Sequence, residues 1–93
     1  VESNMAWSVG MALLEKFEVA DNDIQSSNFD NYRIPRMTDM PSLDIEIIDQ
    51  PEIPPAGAGE VAIVAGPPAI ANAIRHATGF RALRLPISFA DIV

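Results

Sequence analysis

At 93 residues and 10.1 kDa the chain has room for one domain at most, so separate cofactor and substrate domains cannot both lie within it. Its 48% apolar and 20% charged residues are too apolar for a disordered acidic tail, and a net charge of −7 argues against a nucleic-acid backbone or an anionic membrane surface as partner. With no Cys and one His, zinc fingers, iron–sulfur ligation and disulfide frameworks are excluded inside this chain.

From Ser3 to Glu15, Met5, Val9 and Leu13 recur four apart beside Ala6, Gly10 and Leu14, which predicts an amphipathic helix capped by Ser3 or Asn4. Val1 is no initiator Met and the chain opens in helix-like sequence, so it reads as a piece of something larger. Gly10 in mid-helix costs roughly 1 kcal/mol against Ala, which predicts another backbone crossing close to it. Phe17 to Ala20 and Ile24 to Ser26 flank Asp21-Asn22-Asp23 and predict a short hairpin. Asn28 to Pro41 has no period and reads as an ordered loop in which Arg33 and Arg36 pair with nearby carboxylates. In Ser42 to Asp49, Leu43, Ile45 and Ile47 alternate with Asp44 and Glu46, which predicts a strand.

The stretch from Ala56 to Gly66 carries one charge among small and apolar residues and is expected to be buried. Pro67 and Pro68 suit a first helical turn, Ala69, Ile70, Ala73, Ile74 and Ala77 line one face, and Gly79 supplies the stop. The run Val61 to Ile74 is broken by Gly66, Pro67, Pro68 and Asn72, and is shorter than the roughly 18 residues of a membrane span. Ala82 to Leu85 reads as a short strand, and Ser88-Phe89-Ala90-Asp91 has the form of a capping box opening another helix. The elements make an α+β piece. The dispersed aromatics Trp7, Phe17, Phe29, Tyr32, Phe80 and Phe89 are expected to act as core or loop anchors.

Glu60 is the candidate for chemistry. It lies between Gly59 and Val61, and no other charge occurs between Glu52 and Arg75. Burial of this carboxylate would favour its neutral form, the tuning that a general base or acid needs near neutral pH. Gly57 and Gly59 lack a Cβ, so their backbone can approach a bulky ligand or take positive φ, and the nearby helix start would offer N–H groups to an oxygen anion or oxo group. A plain Gly-rich turn with a solvent-facing Glu fits the same residues. Gly57-Ala58-Gly59-Glu60-Val61-Ala62 also satisfies a relaxed dinucleotide fingerprint, but Pro54-Pro55 stand where its strand should run in, and Arg81 lies where an acidic ribose ligand is expected. His76, in a last helical turn without a partner at a triad spacing, reads as structural or solvent-facing.

Several segments in order resemble one family: Trp7 to Glu15, Gln25 to Arg36 with Asp39-Met40-Pro41, Gly57-Ala58-Gly59-Glu60, Ala69-Ile70-Ala71-Asn72-Ala73-Ile74, and Ala77-Thr78-Gly79 before Arg84-Leu85-Pro86. Together they resemble the end of the large subunit of molybdenum hydroxylases, the xanthine dehydrogenase and aldehyde oxidase family, most of all the large (beta) chain of its isoquinoline 1-oxidoreductase branch. The resemblance implies that residues 1–93 are one C-terminal piece of the cofactor-binding domain. It implies Glu60 as the active-site base, taking a proton from a molybdenum-bound hydroxyl whose oxygen attacks an electron-poor carbon while hydride passes to a sulfido ligand. It implies Gly57, Ala58 and Gly59 beside a molybdenum–molybdopterin cytosine dinucleotide, with no metal ligand from this chain. The implied partners are the remainder of the large subunit, a small 2Fe-2S subunit carrying the iron–sulfur clusters, and an N-heterocycle or aldehyde substrate. The piece alone is expected to hold no cofactor and to be inactive, and any targeting signal is expected upstream. Family members often carry Pro after the glutamate, where this chain has Val61. The rival from another class is a stand-alone acidic interaction domain without catalysis.

Overall fold

A twelve-residue helix packs against a second helix and the turn that leads into it. The computed structural model describes all residues 1–93. Helix α1 spans Glu2–Leu13, strands β1 (Val19–Ala20) and β2 (Asp23–Ile24) pair as an antiparallel hairpin, and helix α2 spans Gly66–Thr78. Three single 3-10 turns, Met37–Asp39, Val61–Val64 and Phe89–Asp91, punctuate the rest. The α+β reading stands. No helix is long and apolar enough to cross a membrane.

Helix α1 starts without a side-chain cap: Val1 holds the cap position, and its carbonyl accepts the Met5 N–H at 3.0 Å. Ser3 and Asn4 therefore lie inside the helix rather than at its cap. The buried stripe is also not the expected apolar one. Asn4, Ser8, Gly10 and Ala12 are buried, Met5 and Val9 are half-buried, and Leu13 is exposed. The cause is what α1 packs against, which at Asn4 and Ser8 is the backbone of residues 59–66 at close range. A Cβ on Gly66 at the start of α2 would overlap the Ser8 side chain, so the two helices meet where one of them has no side chain. At Gly10 the close neighbour is not another backbone, as expected, but the Pro35 ring and the Glu15 carboxylate. A Cβ there would stand 2.8 Å from Pro35 Cγ. Near the C-terminal end of α1, the Ile87 N–H donates to the Ala12 carbonyl at 2.7 Å, and both residues are buried.

The local predictions hold where the chain can satisfy itself. The hairpin pairs Val19 with Ile24 and Ala20 with Asp23, across a two-residue turn at Asp21 and Asn22 with φ of 53° and 60°. Helix α2 has Pro in its first turn, and it ends at Gly79 with φ 80°, whose N–H reaches the Arg75 carbonyl at 2.8 Å. Ser88 Oγ accepts the Ala90 N–H and Asp91 Oδ2 accepts the Ser88 N–H, both at 3.2 Å, which builds the expected box around a single 3-10 turn. Arg33 pairs with Asp39 at 3.0 Å, while Arg36 offers Asp39 its backbone N–H at 2.9 Å rather than its guanidinium.

Two predicted strands do not form. Residues 42–49 have no strand partner, and no backbone–backbone hydrogen bond involves any of residues 41–49. Residues 82–85 are likewise irregular. A strand needs a neighbour to complete its ladder, and this chain supplies none. The aromatic anchors fail for a related reason. Trp7, Phe17, Phe29 and Phe89 are exposed, and only Tyr32 and Phe80 are half-buried.

The shape records the same shortage. Seven of 93 residues are buried, and the radius of gyration is 16.2 Å where about 12 Å suits a compact domain of this length. The accessible surface is 7726 Å², about 2,400 Å² more than the roughly 5,300 Å² typical of a folded chain of this mass.

The only Tyr gives a titration test of the loop that crosses α1. Tyr32 OH donates to Glu15 Oε2 at 2.8 Å, and the facing carboxylate raises the phenol above its ordinary value, first through that hydrogen bond, then through desolvation and charge repulsion. A folded-state value above the unfolded one means that the contact stabilises fully at neutral pH and is lost as pH rises through the folded value. Tyrosinate absorbance of the 93-residue chain is expected to rise at higher pH in buffer than in denaturant. Coincident midpoints would contradict the contact.

Candidate functional site

Glu60 opens the 3-10 turn Val61–Val64, with φ −130° and ψ 12°, and its carbonyl accepts the Ile63 N–H at 3.3 Å. Its side chain caps nothing and is exposed, as are all residues from Ala56 to Val61. The expected burial of the glutamate loop is therefore not provided by this chain. Ala62 and Ile63 are half-buried, and burial becomes complete only at Gly66 and Pro67, where α2 meets α1.

The loop is nevertheless held at defined points. Asn4 Nδ2 donates to the Gly59 carbonyl at 3.1 Å, and Asn4 Oδ1 accepts the Ala62 N–H at 3.2 Å. The two bonds bracket Glu60. Asn4 is 3% exposed, and its own carbonyl accepts Ser8 Oγ at 2.7 Å, with Ile63 O a longer 3.5 Å from the same hydroxyl. Asn4 and Ser8 are four residues apart on one helical face, so α1 presents a short polar ladder to the backbone of residues 59–63. The sequence offered Asn4 only as a helix cap and gave Ser8 no separate role. The available signal was the small and polar stripe Asn4, Ser8, Ala12 on a helix otherwise rich in larger apolar residues.

Gly57 and Gly59 keep the approach to Glu60 open. A Cβ on either would meet nothing within 4 Å, and neither adopts the left-handed φ that glycine allows, so approach is the property they supply here. The amide N–H groups of Gly57, Ala58, Gly59 and Glu60 donate no hydrogen bond within the chain. Helix α2 contributes less than expected, because Pro67 and Pro68 remove donors from its first turn. Oxygen-rich groups near Glu60 would meet loop amides rather than a helix end.

No cluster of three or more His, Cys, Asp or Glu side chains is placed to hold a metal ion. His76 lies exposed in the last turn of α2. An open groove of about 1090 Å³ between the end of α1 and residues 80–89 includes Lys16, Arg33, Arg81 and Arg84 but none of residues 57–60. The site is thus half built: an exposed carboxylate and unpaired amides on a pinned loop, with no opposing wall. Such a surface leaves room for close backbone approach by a bulky group and presents one carboxylate to it.

No family model matches the chain. Curated relatives do match, along nearly all of it. The chain is 34% identical over 92 residues to a membrane-bound aldehyde dehydrogenase of Gluconacetobacter polyoxogenes, whose name carries pyrroloquinoline quinone, covering 99% of this chain and 12% of that protein. It is 33% identical over 88 residues to one of the subunits of the nicotinate dehydrogenase of Pseudomonas putida, covering 95% of this chain and 7% of that one. It is 30% identical over 87 residues to the beta chain of isoquinoline 1-oxidoreductase of Brevundimonas diminuta, covering 94% of this chain and 11% of that one. The chain therefore spans about a tenth of the length of the curated relatives it matches.

Proposed function

The chain belongs to the molybdenum hydroxylase family as a segment of its large subunit, and on that premise we propose that it carries the catalytic base, Glu60, of an oxidoreductase that hydroxylates an N-heterocycle or an aldehyde with oxygen from water. What supports this reading is similarity along nearly the whole chain, 94% or more of it, to proteins named as aldehyde, nicotinate and xanthine dehydrogenases and as isoquinoline 1-oxidoreductase, joined to a glutamate loop that is exposed, pinned and open to close approach. A stand-alone acidic interaction domain gives no reason for that similarity.

Two protons and two electrons leave when water oxygen is inserted at the substrate carbon. A molybdenum–molybdopterin cytosine dinucleotide beside Gly57, Ala58 and Gly59 would supply the acceptor for that electron pair, with 2Fe-2S clusters on a partner subunit as the onward route. The Glu60 carboxylate takes the proton that the attacking, water-derived oxygen must lose as it bonds to the electron-poor carbon. The backbone of Gly57, Ala58 and Gly59 faces the cofactor, with amide donors free and no Cβ in the way. The remainder of the large subunit covers the surplus surface and supplies a neighbouring strand for residues 42–49. Residues 1–93 alone, with the site lacking its opposing wall, are expected to be inactive.

Cofactor and oxygen source test this reading together. The purified full-length enzyme is expected to contain molybdenum and, in water enriched in oxygen-18, to place the label in its hydroxylated product. Pyrroloquinoline quinone in place of molybdenum, as the name of the Gluconacetobacter relative has it, or label entering only from dioxygen, would overturn it.

A further inference from the structure

We infer that Asn4 is a positioning residue for Glu60, its carboxamide clamping the loop on both sides of the glutamate from the buried face of α1; the inference rests on Glu60 being the base.

The geometry distinguishes this clamp from ordinary helix packing. A carboxamide offers a donor and an acceptor, and here they meet a carbonyl and an amide of the correct polarity, Gly59 O at 3.1 Å and Ala62 N at 3.2 Å. Those groups lie one residue before and two residues after Glu60, on a stretch that makes few other bonds. Within the chain, no amide from Gly57 to Glu60 donates a hydrogen bond. The Asn4 side chain thus ties the chain on both sides of the exposed glutamate to the buried centre. It is itself fixed. Asn4 is 3% exposed, and the Ser8 hydroxyl donates to the Asn4 backbone carbonyl at 2.7 Å. A buried carboxamide with both ends satisfied is costly to disturb, because losing either partner leaves a polar group unpaired.

The clamp sets where the Glu60 backbone sits rather than touching substrate. Its removal should therefore affect the chemical step more than substrate binding. A displacement of about 1 Å in a reacting group can cost on the order of 100-fold in rate. In the full-length, cofactor-loaded enzyme, Asn4→Ala is expected to lower kcat by roughly 10- to 100-fold with KM changed by less than about twofold. In a Glu60→Gln background the same substitution is expected to cost less than about twofold more, because the group it positions is already gone. Hydrogen exchange gives a readout independent of turnover. The Ala62 amide is expected to be protected in the unsubstituted enzyme and to exchange at least about tenfold faster in Asn4→Ala. Asn4→Asp, of the same size, can still accept from Ala62 but cannot donate to Gly59 when ionised, so it should keep Ala62 protected while still lowering kcat. It also serves if Asn4→Ala does not accumulate as folded protein. An unprotected Ala62 amide, or equal losses from Asn4→Ala with and without Glu60, would overturn the clamp. Full turnover in Glu60→Gln alone would instead overturn the reading of Glu60 as base, and exchange at Ala62 would then decide whether the loop is pinned.

Discussion

Glu60→Gln in the full-length enzyme is expected to lower kcat by about 10²- to 10⁴-fold, the range that a positioned general base contributes, while molybdenum content and KM stay close to their original values. Gln keeps the length and much of the hydrogen-bonding capacity of Glu but cannot take a proton at neutral pH. The substitution is mild for the fold, since the Glu60 side chain caps nothing and is exposed in this chain. A loss confined to KM would place Glu60 in substrate binding, and unchanged turnover would remove it from the mechanism.

The largest stability effect is expected from Gly66→Ala. By helix propensity alone the change should favour α2 by up to about 1 kcal/mol. The close approach reverses that sign, because the added methyl would overlap the Ser8 side chain where the two helices touch. Forcing an extra carbon into such a contact typically costs about 1–3 kcal/mol, so a net loss of stability is expected in chemical denaturation of the full-length protein. Ser8 also donates to the Asn4 carbonyl at 2.7 Å, so the disturbance reaches the glutamate loop and turnover should fall along with stability. Ser8→Gly opens the space that the methyl needs. The double variant should recover part of the loss, with a coupling of at least about 1 kcal/mol. A neutral or stabilising Gly66→Ala would contradict the helix–helix contact described here.

These effects mark the border of what the residues alone revealed. Elements closed by their own neighbours were legible: both helices, the Asp21-Asn22 hairpin turn, the Gly79 stop and the box at Ser88 each rest on bonds between residues close in sequence. Elements that need a distant partner were not. The alternation of Leu43, Ile45 and Ile47 is a strand pattern, yet a ladder requires a second strand, and residues 41–49 make no backbone–backbone hydrogen bond here. The apolar row of α1 misled for another reason. Periodicity identifies a face that can be buried, but α1 turns its small and polar face toward the loop and α2, because Asn4 and Ser8 meet backbone groups that Met5 or Leu13 could not satisfy. Glu60 stood out in the sequence by its isolation among small and apolar residues. That it would be exposed, and pinned from a helix more than fifty residues earlier, could be read only once α1 and the loop were side by side.

The central claim is that Glu60 moves a proton in the chemical step at a molybdenum centre. Anaerobic mixing of substrate with the full-length enzyme, followed by its visible absorbance, isolates that step from electron transfer to acceptors and from product release. With molybdenum content matched, the rate of enzyme reduction is expected to fall by about 10²- to 10⁴-fold in Glu60→Gln. Equal reduction rates in the two proteins would contradict the account.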